Sequence, residues 1–217
     1  MRLVLLGPPG SGKGTQAVGL AAELQVPHIS TGELFRAEMA AETELGKLAA
    51  SFIDHGNLVP DDVVNAIARE RLSQPDAQGF LLDGYPRTEQ QAGALAEILA
   101  ELEHPLDVAI KIDVPDSAIV DRAVGRLVCP NCGAVYHVIT KPPRFMGICD
   151  NCRSQLMTRP DDQPSTVRHR LGVYHRLTQP VANFYAARGL LHEVDGMGSR
   201  DEVGQRLRNV LRGVGQI

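Results

Sequence analysis

Arg2-Leu3-Val4-Leu5-Leu6-Gly7-Pro8-Pro9-Gly10-Ser11-Gly12-Lys13-Gly14-Thr15 is the stretch on which the fold turns. A short apolar, β-like run stops at a Gly/Pro turn, and a helical pattern follows from Lys13 to about Leu24. Gly7 to Lys13 matches G-x-x-x-x-G-K between an expected strand and an expected helix, the context a phosphate-binding loop requires. Glycines at Gly10, Gly12 and Gly14, with Ser11 between, let backbone N–H groups approach phosphate oxygens, and the helix N-terminus adds a favourable dipole. Lys13 is then placed to reach the β- and γ-phosphates. Gly14 stands where the general motif has a Ser or Thr that ligates Mg²⁺, with Thr15 one place later. That departure argues against a GTPase or motor ATPase. It favours Mg²⁺ held mainly by nucleotide phosphates and water, with Asp83, at the end of another expected strand, acting through a water.

Working outward, further buried strands are expected at 80–82, 108–112 and, more weakly, 190–194. Helical patterns separate them at 61–72, 88–102, 116–125, 165–187 and 201–211. Strands alternating with helices imply an α/β fold, a parallel sheet flanked by helices. Two stretches break the alternation. Residues 30–59 read as two or three short helices, and 125–162 is punctuated by Cys, Pro and Gly with short β-like runs such as Ala134 to Val138. Both read as insertions into a core made of 1–29, 60–124 and 163–217.

Composition agrees with a soluble globular protein: 43% hydrophobic and 22% charged residues, without Trp. No apolar run approaches the ~20 residues of a membrane span, and the N-terminus turns Gly-rich too soon for a signal peptide. A cytoplasmic location and no membrane partner are expected. The net charge of −4 gives no reason to expect a nucleic-acid partner, so any phosphate site must be a local concentration of Arg and Lys.

All four cysteines lie between residues 129 and 152. Cys129-x₂-Cys132 and Cys149-x₂-Cys152, sixteen residues apart, fit a C-x₂-C-x₁₅₋₂₀-C-x₂-C zinc pattern. Four thiolates make a closed tetrahedral site, structural and not catalytic. A small insertion has little core, and metal can replace hydrophobic burial in ordering it. A zinc ribbon for nucleic acid is the alternative use of such an element, but few aromatics accompany it for base stacking.

Four segments together resemble the adenylate kinase family over nearly the whole chain: Gly7 to Gln16, Ser30 to Arg36, Phe80-Leu-Leu-Asp-Gly-Tyr-Pro-Arg-Thr88, and Asp121 to Arg126. The resemblance implies a P-loop nucleoside monophosphate kinase fold with an AMP-binding insertion at 30–59 and a small zinc-bearing β lid at 125–162. It implies Mg²⁺-dependent, reversible phosphoryl transfer from ATP to AMP. Gly10 to Thr15, Arg122, Arg126, Val135, Tyr136 and Gly198 are implied for ATP, Gly198 through its backbone alone. Thr31, Gly32, Arg36, Asn57, Leu58, Val59, Gly84, Tyr85, Pro86, Arg87 and Gln91 are implied for AMP, with the backbone around 57–59 and 84–87 lining the pocket, the arginines on its phosphate and Gln91 on the adenine edge. Arg159 and Arg170 would bridge both nucleotides at the transferring phosphate, and Lys13, Arg87, Arg122, Arg126, Arg159 and Arg170 form the catalytic set. Asp161 and Asp162 are expected to pair with lid arginines.

The chemistry suits those residue types. A phosphate monoester has a second pKa of ~6, so the acceptor needs no base. Repulsion between two polyanions is the obstacle, and fixed guanidinium charge with Mg²⁺ answers it. Nothing marks an oligomerisation segment, so a monomer is the expectation.

Overall fold

The computed structural model describes residues 1–215. The strands β1 (Arg2–Leu6), β2 (His28–Ser30), β3 (Phe80–Asp83), β4 (Val108–Asp113) and β7 (Leu191–Asp195) form one parallel sheet in the order β2-β3-β1-β4-β7. A separate antiparallel pair, β5 (Arg126–Val128) and β6 (Val135–His137), lies in the cysteine-rich segment.

Parallel strands are covered on both faces, which is why β1 reads as a continuous apolar run and not as an alternation. Its side chains divide between two cores. Val4 and Leu6 join Leu82 and Ala109 on one face, under α4 (Asp61–Leu72), α5 (Glu89–Glu101) and α8 (Val181–Ala186). Leu3 and Leu5 join Leu81, Ile110 and Ile112 on the other, under α1 (Lys13–Leu24), α6 (Asp116–Val124), α7 (Pro164–Val173) and α9 (Arg200–Gly213). Between β2 and α4, a hairpin of α2 (Thr31–Ala40) and α3 (Glu44–Ile53) projects from the sheet. Gly46 permits its close crossing: a Cβ there would lie 2.1 Å from the Glu38 carbonyl oxygen.

Two expectations need correction. Strand β2 is too short, and too close to Pro27 and a helix start, to show in the sequence pattern, yet it pairs with β3 from His28↔Leu81 to Ser30↔Asp83. The helix expected over 165–187 is interrupted. Residues Tyr174–Thr178 form a π turn, closed by Gln179 N–H donating to the Tyr174 carbonyl over 2.8 Å. Pro180 follows directly; proline lacks an N–H and its ring crowds the carbonyl four residues back, so the widened turn absorbs it.

Candidate active site

The glycine loop leaves the C-terminal end of β1 between β3 and β4, where an open parallel sheet forms its crevice. Gly7 has φ +144°, and a Cβ there would meet the Ile112 carbonyl oxygen at 2.6 Å, so only glycine fits. Lys13 opens α1, and its Nζ donates to the carbonyls of Gly7 (2.6 Å) and Pro8 (2.8 Å). Burial lowers its pKa to about 8; Asp83 opposes that, and the charges of Arg87, Arg170 and Arg126 add to it.

Asp83 ends β3 and is buried beside the loop. Its Oδ2 lies 3.7 Å from His28 Nε2 on β2. Burial pushes the carboxyl upward in pKa, but His28 and Lys13 outweigh it and hold the group below its ordinary value. The glycine at position 14 gains a structural reason here, since a Cβ would press on Asp83 Oδ2 at 3.3 Å.

Seven arginines line the same cleft, the six expected from the sequence and Arg200, which the sequence reading did not single out. Arg122, on α6, donates to the Ser11 carbonyl (3.3 Å) and the Gly196 carbonyl (3.0 Å). Arg126, at the start of β5, has its Nε 3.5 Å from Asp162 Oδ2 and its guanidinium beside Gly10. Arg36, on α2, lies over Gly32, where a Cβ would sit 3.2 Å from Nη1. Arg87 donates from Nε to the Gly84 carbonyl over 2.6 Å. Arg170, on α7, pairs with Asp161. Arg159 is half-buried, and its pKa falls to about 10, through burial first and then the charges of Arg36 and Arg126. Arg36 and Arg87 are likewise lowered by burial, with neighbouring guanidinium groups adding to the effect. Asp162, almost fully buried, is raised by burial despite Arg126.

The pairing expected of the two aspartates is thus half corrected. Asp162 faces Arg126 of the cysteine-rich segment, but Asp161 faces Arg170 of the sheet's own helix layer.

Opposite the loop, Ser30 caps α2 by accepting from Glu33 N–H, which sets Thr31 at the first turn. The Thr31 hydroxyl donates to the Gly84 carbonyl at 2.8 Å. Gly84 has φ +82°, and a Cβ would meet Arg87 Nη2 at 2.9 Å. Asn57 Oδ1 lies 2.9 Å from His169 Nε2, which ties the strand-free segment after α3 to α7. Gln91 is 1% exposed; its Nε2 donates to Asp61 Oδ1 and its Oε1 accepts from Arg87 N–H, both at 2.7 Å. One lone pair and one amide hydrogen remain for a ligand.

The glycine loop, Lys13, Asp83, the arginines, Asp161, Thr31, Asn57, Gly84 and Gln91 line one cleft of about 1040 Å³, together with Val135, Tyr136 and Gly198, while His28, Asp61, Asp162 and His169 stand behind its wall. Of the nucleotide residues expected from the sequence, Tyr85 alone is outside the lining. It is fully buried in the core, its hydroxyl donating to Asn65 Oδ1 at 2.9 Å. Only its backbone is implied at the nucleotide, and the burial of the ring does not bear on that role. Tyr136 borders the cleft but is only 5% exposed, packed with Cys129, Cys149 and Leu156. Gly198 has φ +105°, a conformation that strains any L side chain, and a Cβ there would also displace Glu202 Oε2, 2.7 Å away.

Three supporting residues escaped the sequence reading. Asp61 holds both Gln91 and Thr88, His28 faces Asp83, and Thr178 donates to the Arg87 carbonyl at 2.8 Å. None belongs to a motif, and each acts across a long sequence separation.

The four Sγ atoms of Cys129, Cys132, Cys149 and Cys152 lie within 4.8 Å of one another. Cys129–Cys152 is 3.3 Å and Cys132–Cys149 is 3.5 Å. Tetrahedral thiolate coordination at ~2.3 Å places sulfurs ~3.8 Å apart, so the donor set fits a metal ion after small shifts.

Asp83, Asp161 and Asp162 offset only part of the positive charge that Lys13 and the arginines bring together, and a ligand of several negative charges supplies the rest. The glycine loop beside them suits the phosphate chain of a nucleotide, which makes the class a P-loop phosphotransferase. A family model described as adenylate kinase matches residues 5–190. An adenylate kinase of Symbiobacterium thermophilum is 54% identical over 213 residues, covering 98% of this chain and 99% of that one. Adenylate kinases of Streptomyces avermitilis (51%) and Caldanaerobacter subterraneus subsp. tengcongensis (49%) each align over 214 residues, 98% of this chain and 97% of theirs. The chain belongs to the adenylate kinase family.

Proposed function

We propose that Lys13 with Arg36, Arg87, Arg122, Arg126, Arg159 and Arg170 carries out the family's reaction, the reversible transfer of the terminal phosphoryl group of ATP to AMP that yields two ADP. The observation behind this reading is their convergence, from five stretches of chain, on one cleft. The donor lies along the glycine loop. Backbone N–H groups from Gly10 to Thr15 bind its phosphates, Lys13 leaves the Gly7 and Pro8 carbonyls to meet them, and Arg122 and Arg126 hold the chain from the α6 side. Val135, the backbone of Tyr136 and Gly198 border its base. The acceptor lies against α2. Arg36 and Arg87 hold its phosphate, Gly84 and Pro86 shape that end, and Thr31, Asn57 to Val59 and Gln91 surround its adenine. Arg159 and Arg170 meet the transferring group from both sides.

No base is assigned, because the acceptor phosphate is already anionic. Catalysis is positioning and electrostatic stabilisation of charge on the phosphoryl oxygens. Mg²⁺, when bound with ATP, neutralises phosphate charge, and Asp83 is positioned to orient its water shell.

The segments 30–59 and 125–162 act as two covers that close on the substrates and exclude water, the competing acceptor. Zn²⁺ in the Cys₄ site orders the second of these, supplying what its four-residue buried cluster cannot. Two further expectations are a monomer and a cytoplasmic location; among the described residues no helix is long and apolar enough to cross a membrane.

An acceptor panel of AMP, UMP, CMP and GMP with Mg-ATP tests the assignment. Transfer to AMP well above the others, abolished without Mg²⁺, is expected. Equal use of a pyrimidine monophosphate would refute the acceptor site.

A further inference from the structure

Tyr136 stands between the two functions of the 125–162 segment. It borders the nucleotide cleft although only 5% exposed, while its hydroxyl lies at the cysteine quartet. There the phenolic oxygen accepts a hydrogen bond from Asp150 N–H at 2.9 Å. With that lone pair engaged, the hydroxyl's own proton needs an acceptor. Cys149 Sγ, itself fully buried, lies 3.6 Å away. Lys141 covers the ring, its Nζ 5.4 Å from the centroid and donating to the Val135 carbonyl at 2.9 Å.

We propose that Tyr136 is a positioning residue for the metal, donating its O–H to the Cys149 thiolate and so tying the strand that borders the donor pocket to the Cys₄ centre. The proposal rests on the zinc reading given above. Four thiolates around a divalent ion leave a net charge of −2, and a buried sulfur carrying part of it gains from a donor. Partners of this kind orient ligands, and their loss typically lowers metal affinity ~10–100-fold. The ring supplies the mechanical half of the link. Its edge fixes where β6 runs, and β6 carries Val135 and His137 along the cleft. Metal retention and donor binding are thereby coupled through one side chain.

The variant Tyr136→Phe keeps the ring and removes only the oxygen. Zinc transfer to a chromogenic chelator is followed in full-length protein, with and without ATP. In parallel, the sulfur-to-cobalt charge-transfer band is recorded after Co²⁺ substitution. Zinc release ~10-fold faster in the variant is expected, together with a red-shifted cobalt band, because a thiolate without its donor gives up charge more readily. In the wild type ATP slows zinc release, and in the variant it does so less. Unchanged release and an unshifted band in the variant would overturn the role of Tyr136. A wild-type protein that takes up neither metal would instead overturn the metal assignment itself, so the two failures are distinguishable.

Discussion

Replacing Arg159 by Met should make the free protein more stable and the enzyme far slower. Arg159 is half-buried, and among the described residues its guanidinium has no hydrogen-bond partner, while Arg36 and Arg126 stand nearby. Burial and those charges lower its pKa from its ordinary value to about 10. At 1.36 kcal/mol per pKa unit, a fall of that size sets ~3 kcal/mol against the charged form. Solvent screening at a partly exposed group reduces this, and the recoverable part is ~1–2 kcal/mol. Arg159 is protonated in both folded and unfolded states at neutral pH, so the strain is carried in full there. Its relief appears only if the charge is deleted. Met keeps much of the stem's packing and none of the charge. For a chain of this size ~1 kcal/mol is worth ~2–4 °C in Tm, so differential scanning calorimetry should record a rise of roughly 2–8 °C. In a coupled assay at saturating ATP and AMP, turnover should fall on the order of 10³-fold, the usual worth of an arginine on a transferring phosphoryl group. Added salt should raise the wild-type Tm more than the variant's, because it screens the repulsion that the variant lacks. A variant with a lower Tm and near-normal turnover would refute both the strain and the role.

Three more outcomes follow from the same geometry. Lys13 has a pKa near 8 in the free protein, and a polyphosphate beside it raises that value; ATP binding should therefore take up a proton as pH passes above about 8, and affinity should fall across that window. Calorimetry in buffers of different ionisation enthalpy reads the proton directly, and none taken up near pH 8.5 in wild type would contradict the placement of Lys13 on the phosphates. Stripping the metal with a strong chelator should lower the melting of the 125–162 segment and raise the KM for ATP, while AMP binding measured alone stays unchanged. Gly125→Ala should act at the same place. Its Cβ would meet His137 Nε2 at 2.4 Å, and the ring cannot turn away freely while its Nδ1 accepts from Ile139 and Thr140 N–H groups. A loss of ~1–3 kcal/mol from overpacking is expected, read as greater protease sensitivity between residues 125 and 162; unchanged digestion would show that β6 yields without strain.

The glycine loop, the parallel sheet and the metal knuckles were legible because each is written in adjacent residues. Gly7 to Lys13 must bend tightly next to a strand. Leu3 to Leu6 must be buried on both sides. Paired C-x₂-C turns bring sulfurs together whatever surrounds them. The arginines of the cleft were legible only through the motifs they sit in, since an isolated Arg carries no sign of where its guanidinium is held.

Other features depended on contacts that no local pattern encodes. Strand β2 exists because β3 offers an edge to three residues that would not form a strand alone. The break after Tyr174 reflects how a continuous helical pattern accommodates Pro180 within a packed layer. Tyr85 and Tyr136 are both implied at a nucleotide by the motifs around them, yet one ring fills the core and the other turns its hydroxyl to the sulfurs. Asp61, thirty residues from Gln91, orients it across two helices. Local sequence determines backbone conformation through sterics and periodicity; which side chains become partners is determined by how the layers pack, and that is a property of the folded chain as a whole.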